Sequence, residues 1–309
     1  MRHLLAAFAL TICCALAPLA ANATHDADRN TESLLRAHDR FARELELNGP
    51  VDGFVPNLTN DVAYLHPGQE IITGRDATRT FLKTVYPQAK SVHTVLHRIA
   101  GQASADGSLG YTFGSLDETT APKNAPSVTT YGRFIAMWKK RDDGWRVQAF
   151  LRLNSGAPLA PVPADALIVD GADTVVHPGL PAAQRLEIAI ADSRFADLSI
   201  DQGYTVAFTS YDMPESVIVT AGSFFYNHAG VEFAWSGWTP AEMLSWYPLR
   251  TEGAGSGDLG WSIGHGTYSF NDGQTEQLSY SKYLTVWVRT AAGWRFLMDG
   301  GNGRPAPQH

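Results

Sequence analysis

The chain repeats itself, and a repeat of this length calls for two similar bodies rather than one large core. Asp106-Gly107-Ser108-Leu109-Gly110-Tyr111-Thr112-Phe113-Gly114 is answered about 150 residues later by Gly257-Asp258-Leu259-Gly260-Trp261-Ser262-Ile263-Gly264. Tyr131-Gly132-Arg133-Phe134-Ile135-Ala136-Met137-Trp138 is answered by Tyr280-Ser281-Lys282-Tyr283-Leu284-Thr285-Val286-Trp287, and Gly144-Trp145-Arg146 by Gly293-Trp294-Arg295. Earlier in each half, Arg40-Phe41-Ala42 pairs with Arg194-Phe195-Ala196, and Tyr86-Pro87 with Tyr247-Pro248. Landmarks recurring in one order mark a tandem duplication.

Each copy opens with a helix. Leu35, His38, Phe41, Ala42 and Leu45 fall on one stripe at helical spacing, with Asn30 or Thr31 as N-cap and Gly49-Pro50 as the stop. The second copy repeats the stripe after Pro181 with Ile188, Asp192, Phe195 and Ala196. A shorter helix is expected over 76–85 and again over 240–246, each closed by its Tyr-Pro pair. Alternation over 95–103, 110–116, 129–140 and 145–153, with Asp-Gly turns at Asp106-Gly107 and Asp143-Gly144, reads as an antiparallel meander. The expected fold class is α+β: two tandem cone-shaped domains, each a curved antiparallel sheet wrapped around a long N-terminal helix. A sheet bent around a helix leaves a hollow at its wide end.

The expected divisions are a signal peptide at 1–23, a first cone over 24–156, a proline-rich linker over 157–181 and a second cone over 182–309. Arg2, the apolar run from Leu4 to Leu19 and the small residues of Ala21-Asn22-Ala23 point to export with cleavage after Ala23, hence a periplasmic or secreted protein. Pro18 cuts the run short of a comfortable membrane span, and Ile12 stands where a lipoprotein box before Cys13 requires a small residue. Both cysteines, Cys13 and Cys14, fall inside the leader, so no disulfide and no thiolate nucleophile is expected afterwards. The linker's Ala166-Leu167-Ile168-Val169 reads as a short strand. With 24 basic against 31 acidic residues and no basic run, the surface repels a phosphate backbone, and nucleic acid is not an expected partner.

At these residues the chain resembles the SnoaL-like and ketosteroid-isomerase-like superfamily of nuclear transport factor-type, cystatin-like cones, in particular its bacterial subgroup of unknown function. The resemblance rests on the strand Leu109 to Gly114, the strand ending at Trp138, the turn at Gly144 and the closing Asp299-Gly300-Gly301-Asn302-Gly303-Arg304-Pro305, and it covers both copies. It implies a fold that hosts isomerases, cyclases, dehydratases and proteins of no known activity, and domains that pair within the chain as two subunits pair in resembling dimers. The copies differ where Phe150 stands opposite Asp299.

His38 and Asp192 occupy equivalent places on otherwise apolar stripes, so each points an ionisable group into its cone, as a general acid or base or as a hydrogen-bonded core group. Asp299, at the end of the last strand, is the third candidate for proton transfer. Tyr64, His66 and Tyr131 in the first copy, and His228, Trp261, His265 and Tyr283 in the second, are candidate ligand contacts. No metal site is expected: His93 and His97 lie on a strand, where four residues separate side chains by roughly 13 Å. No Gly-x-Ser-x-Gly elbow and no phosphate-binding glycine loop occurs, and no cofactor is expected. The expected function is binding of a small, largely apolar molecule in one or both cones. Two alternatives stay open: a cofactor-free acid-base enzyme of isomerase, cyclase or dehydratase type, and an interaction module with collapsed pockets.

Overall fold

A computed structural model describes residues 17–87, 91–121, 126–162 and 174–308. The leader's first residues, Cys13 and Cys14 among them, and the strand expected at Ala166 to Val169 lie outside those residues. The first unit runs α1 (Ala17–Asp52), β1 (Leu58–Leu65), β2 (Ile72–Thr73), α2 (Arg75–Val85), β3 (Val92–Ala103), β4 (Leu109–Thr120), β5 (Val128–Arg141) and β6 (Gly144–Ser155). The second runs α3 (Pro181–Gln202), α4 (Tyr204–Tyr211), β7 (Val217–Val219), β8 (Phe224–Tyr226), α5 (Asn227–Ala234), β9 (Glu242–Gly253), β10 (Leu259–Asn271), β11 (Glu276–Thr290) and β12 (Gly293–Gly303). The sheets have the same order, β2-β1-β6-β5-β4-β3 and β8-β7-β12-β11-β10-β9. Two tandem α+β cones are therefore present, as the repeat predicts.

Three expectations need correction. The sheets are mixed, because β1 lies parallel to β6 and β7 parallel to β12. In each unit the chain leaves the short leading strand, crosses to the far edge and meanders back, so the last strand arrives in the same direction as the first. Asn30 and Thr31 do not start a helix: α1 already runs from Ala17, and the two side chains bond the end of the facing sheet, Asn30 to the Ala105 carbonyl at 3.1 Å and Thr31 to the Ala103 amide at 3.2 Å. The helix expected over 240–246 is the start of β9, and Tyr247-Pro248 lies inside that strand. Proline is tolerated there because β9 is an edge strand with a register shift opposite Pro248. The two Tyr-Pro pairs are thus not equivalent; the short helix of the second unit is α5.

The units pack sheet against sheet. Leu109, Tyr111, Phe113, Ile135, Met137 and Leu151 of the first meet Leu259, Trp261, Ile263, Leu284, Val286 and Met298 of the second in one shared core. The opposite face of each sheet receives its own helix: Leu34, Phe41 and Leu45 with Phe134, Trp138 and Val147 in the first unit, Ile188 and Phe195 with Trp287 and Phe296 in the second. Glycine lets each helix lie close. A Cβ on Gly110 would stand 2.5 Å from Leu34 Cδ2, and one on Gly260 would stand 2.2 Å from Ile188 Cδ1. Two turns clasp reciprocally across the interface: the Ser256 amide donates to Asp106 Oδ2 at 2.9 Å and the Ala105 amide to Asp258 Oδ2 at 2.8 Å. This two-way exchange is the signature of an isologous contact.

Candidate functional site

The cone interiors differ because four equivalent positions differ. In the first unit Phe134 and Phe150 stack at 5.7 Å, Leu116 is buried beside them, and Arg152 lies against Glu118. At the matching places the second unit has Tyr283, Asp299, Gly266 and Gly301. The Arg152 guanidinium donates to Glu118 Oε2 at 2.9 Å and Oε1 at 3.1 Å, and Tyr86 Oη donates to the same carboxylate. That plug and the rings leave only about 20 Å³ free in the first cone. Replacing leucine and arginine by two glycines opens about 460 Å³ in the second.

Phe195, Phe208, Trp235 and Trp246 form the aromatic wall of the open cavity, with Ile218, Val219 and Leu244, and Tyr283 and Asp299 interrupt it. Phe195 meets Phe208 at 4.7 Å and Trp246 at 4.6 Å, and Phe208 stacks on Trp235 at 4.0 Å. The first unit contributes Pro67, Leu153 and Asn154 to the rim. The last strand is tied to that unit by Asn302, whose Nδ2 donates to the carbonyls of Leu65 at 2.9 Å and Arg152 at 2.7 Å.

Behind the wall, Asp192 accepts from Trp246 Nε1 and from Tyr283 Oη, each at 2.8 Å, and from the Ser262 hydroxyl. Ser262 in turn accepts from Trp287 Nε1 at 2.8 Å, so its own proton is free for Asp192. Burial pushes the Asp192 carboxyl up, against the pull of its three donors. Burial, then the Asp192 charge, hold Tyr283 far above the ordinary phenol range. Asp299 is pushed up to about 7, first by burial and further by Asp192, against a bond from Thr285 Oγ1 to its Oδ2 at 2.6 Å. Its Oδ1 takes no hydrogen bond from any described residue.

The sign of the Asp299 linkage follows. A carboxyl whose folded pKa exceeds the unfolded value near 3.8 binds its proton more tightly when folded, so its contribution is most favourable below that value and is lost as pH rises toward 7. Asp299→Asn is therefore expected to stabilise the fold at about pH 8, by up to about 4 kcal/mol, with no gain near pH 4, as read by thermal unfolding. Equal effects at both pH values would contradict this linkage.

Of the sequence candidates, the structure brings Asp192, Tyr283 and Asp299 together at this cavity and scatters the rest. His38 is sealed in the first core, where Trp138 Nε1 donates to Thr112 Oγ1 at 2.9 Å and Thr112 can donate to His38 Nδ1 at 3.1 Å. Burial, with the Arg98 charge, brings its pKa down to about 4, and a neutral ring stacked on Phe134 faces no open space. Tyr64 is buried beside Phe54 and Phe150, pushed up to about 12 by burial. His66 is half-buried against Phe81, its Nδ1 donating to the Pro67 carbonyl at 3.0 Å. Tyr131 lies on β5 opposite Ser155, away from the cavity. Trp261 faces the partner sheet and carries Arg250 over its ring at 5.1 Å; its strand parity turns it away from the cone. His228 is exposed and bonds Asp212 at 2.7 Å, and His265 meets Glu70 at 3.2 Å outside the cavity. His93 and His97 sit on β3, each beside one carboxylate, Glu46 and Asp117. No group of three metal-ligating side chains occurs among the described residues, and no helix among them is long and apolar enough to cross a membrane.

Trp246, Phe208 and Trp235 were not singled out from sequence. The alternation Leu244, Trp246 just ahead of Pro248 was the available signal for the first of them.

No family model matches the chain, and no curated protein matches it. Among solved structures it is similar to a ketosteroid isomerase-like protein from Erwinia carotovora atroseptica, at 11% identity over 41% of this chain and 98% of that one, with a TM-score of 0.36. An NTF2-like protein with a cystatin-like fold from Novosphingobium aromaticivorans is similar at 15% identity over 49% and 94%, with a TM-score of 0.35. An NTF2-like protein of unknown function from Shewanella oneidensis is similar at 17% identity over 40% and 97%, with a TM-score of 0.33.

Proposed function

We propose that the second unit is a binding site for one small, largely apolar molecule and that the first unit, its cone filled, is the structural partner. The observation that carries this reading is the contrast between about 460 Å³ of aromatic-walled space in one cone and about 20 Å³ in the other. A cavity of that volume suits a bicyclic or tricyclic ligand. The leader read at residues 1–23 adds the proposal that binding occurs outside the cytoplasm. A second reading, favoured by Asp299 with a near-neutral carboxyl at the cavity wall, is cofactor-free proton transfer at a carbon next to a carbonyl.

Fluorescence titration with phenylnaphthylamine, a neutral aromatic probe, tests the site. Saturation at one probe per chain is expected, with energy transfer from tryptophan; no binding, or two equivalent sites, would defeat the proposal. The same titration with β-tetralone in heavy water separates the readings, since only proton transfer exchanges the ketone's α-hydrogens faster than buffer does.

A further inference from the structure

Among the described residues, the side chains that line the open cavity include an acid and no base. Asp299 Oδ1 takes no hydrogen bond from a described residue, and among those residues the groups facing its carboxyl are Thr285 and Tyr283 from β11 and Asp192 from α3. No lysine, arginine or histidine among the described residues lines the cavity. Two cations at neighbouring chain positions are committed elsewhere: Lys282 Nζ donates to Asn302 and to the Gly303 carbonyl at 2.9 Å, and Arg152 to Glu118. A carboxylate in an apolar wall with no cation is a costly arrangement for a protein to keep empty.

The filled cone shows what is missing. There Arg152 projects on the same face of its strand as Phe150, two residues away, and its guanidinium occupies the cone. In the second unit the place of Arg152 is Gly301, beside Asp299, and the volume an arginine would take belongs to the cavity. The cation has been removed and a carboxylate added. The wall that faces this space is made of Phe195, Phe208, Trp235 and Trp246, whose ring faces attract positive charge.

We infer that the ligand of the second cone is a compact apolar amine, held as its ammonium ion against Asp299 Oδ1 within the aromatic wall; this rests on the reading of the cavity as a binding site. The ammonium supplies the donor that Oδ1 lacks, and its hydrocarbon body fills the rest.

Calorimetric titration of the full chain with adamantylamine, adamantanol and adamantanecarboxylate, three ligands of one shape, tests the inference at about pH 8. The amine is expected to bind at least about tenfold more tightly than the alcohol, the size of one charge-assisted hydrogen bond, and the carboxylate not to bind. Asp299→Asn should erase the amine's advantage over the alcohol. In the unaltered protein the ratio of amine to alcohol affinity should shrink toward pH 5 as Asp299 takes up its proton, a readout that needs no variant. Alcohol binding as tight as amine, or an advantage that survives both Asp299→Asn and acid, would overturn the inference and leave the cavity reading standing. If neither the alcohol nor phenylnaphthylamine binds, the cavity reading fails and the inference with it.

Discussion

Exchanging Arg152 for methionine is expected to lower the stability of the folded protein by about 3–5 kcal/mol, the cost of leaving a buried charge without its partner. Arg152 and Glu118 side chains are each about a tenth exposed, and two parallel bonds join them. Burial alone would push the Glu118 carboxyl up; the bonds and charge of Arg152, with Tyr86 and Thr94, instead hold it below the usual range. Methionine fills much of the volume but strands that carboxylate among Leu82, Leu96 and Phe150. The double change Arg152→Met with Glu118→Gln should recover at least half of the loss, because no charge is then stranded. Urea unfolding reads both. A loss below about 1 kcal/mol in the single variant would mean that water reaches the pair and that the first cone is not sealed.

Gly266→Leu is expected to abolish probe binding while leaving the fold at least as stable. Gly266 lies on β10 in the cavity wall, where the first unit has the buried Leu116. A Cβ there meets Ser281 Oγ at 2.6 Å and the Ser245 carbonyl at 3.7 Å, and a serine hydroxyl can rotate aside. The rest of the leucine then enters empty space, as in the first cone, and filling a void contributes about 1 kcal/mol rather than costing it. Phenylnaphthylamine fluorescence should fall to the level of free probe, with the unfolding midpoint unchanged or raised. Undiminished binding by a folded Gly266→Leu variant would place the ligand elsewhere.

Much of this site is written locally in the chain. Asp192 stands out because a carboxylate breaks an apolar helical stripe, and Asp299 because the repeat fails there, with phenylalanine in the other copy. The four strands of the first meander were legible from alternation and from the Asp-Gly turns, and lengthened by only a few residues on folding, whereas the first strand of the second was read in part as a helix. Parity was not legible. A sheet with a helix on one face and a second sheet on the other is apolar on both, and β10 is buried along its first six residues, so the two-residue rhythm that would have assigned Trp261 to the interface is erased. Tyr247-Pro248 misled for a related reason: a dipeptide that stops a helix is also compatible with an edge strand, and only the sheet order tells them apart. The contributions of Pro67, Leu153 and Asn154 to the second cavity arise from packing between distant segments, which no window of sequence contains.

That borrowed rim has a further consequence. A site assembled from separate subunits comes apart when the protein is dilute, whereas here a covalent tether fixes the supply of the second half at every concentration. The tether also frees each half to change without obliging its twin to follow, a liberty denied to a protein that must pair with an identical copy of itself. Phenylalanine at one of two equivalent positions and aspartate at the other are what that liberty has left behind.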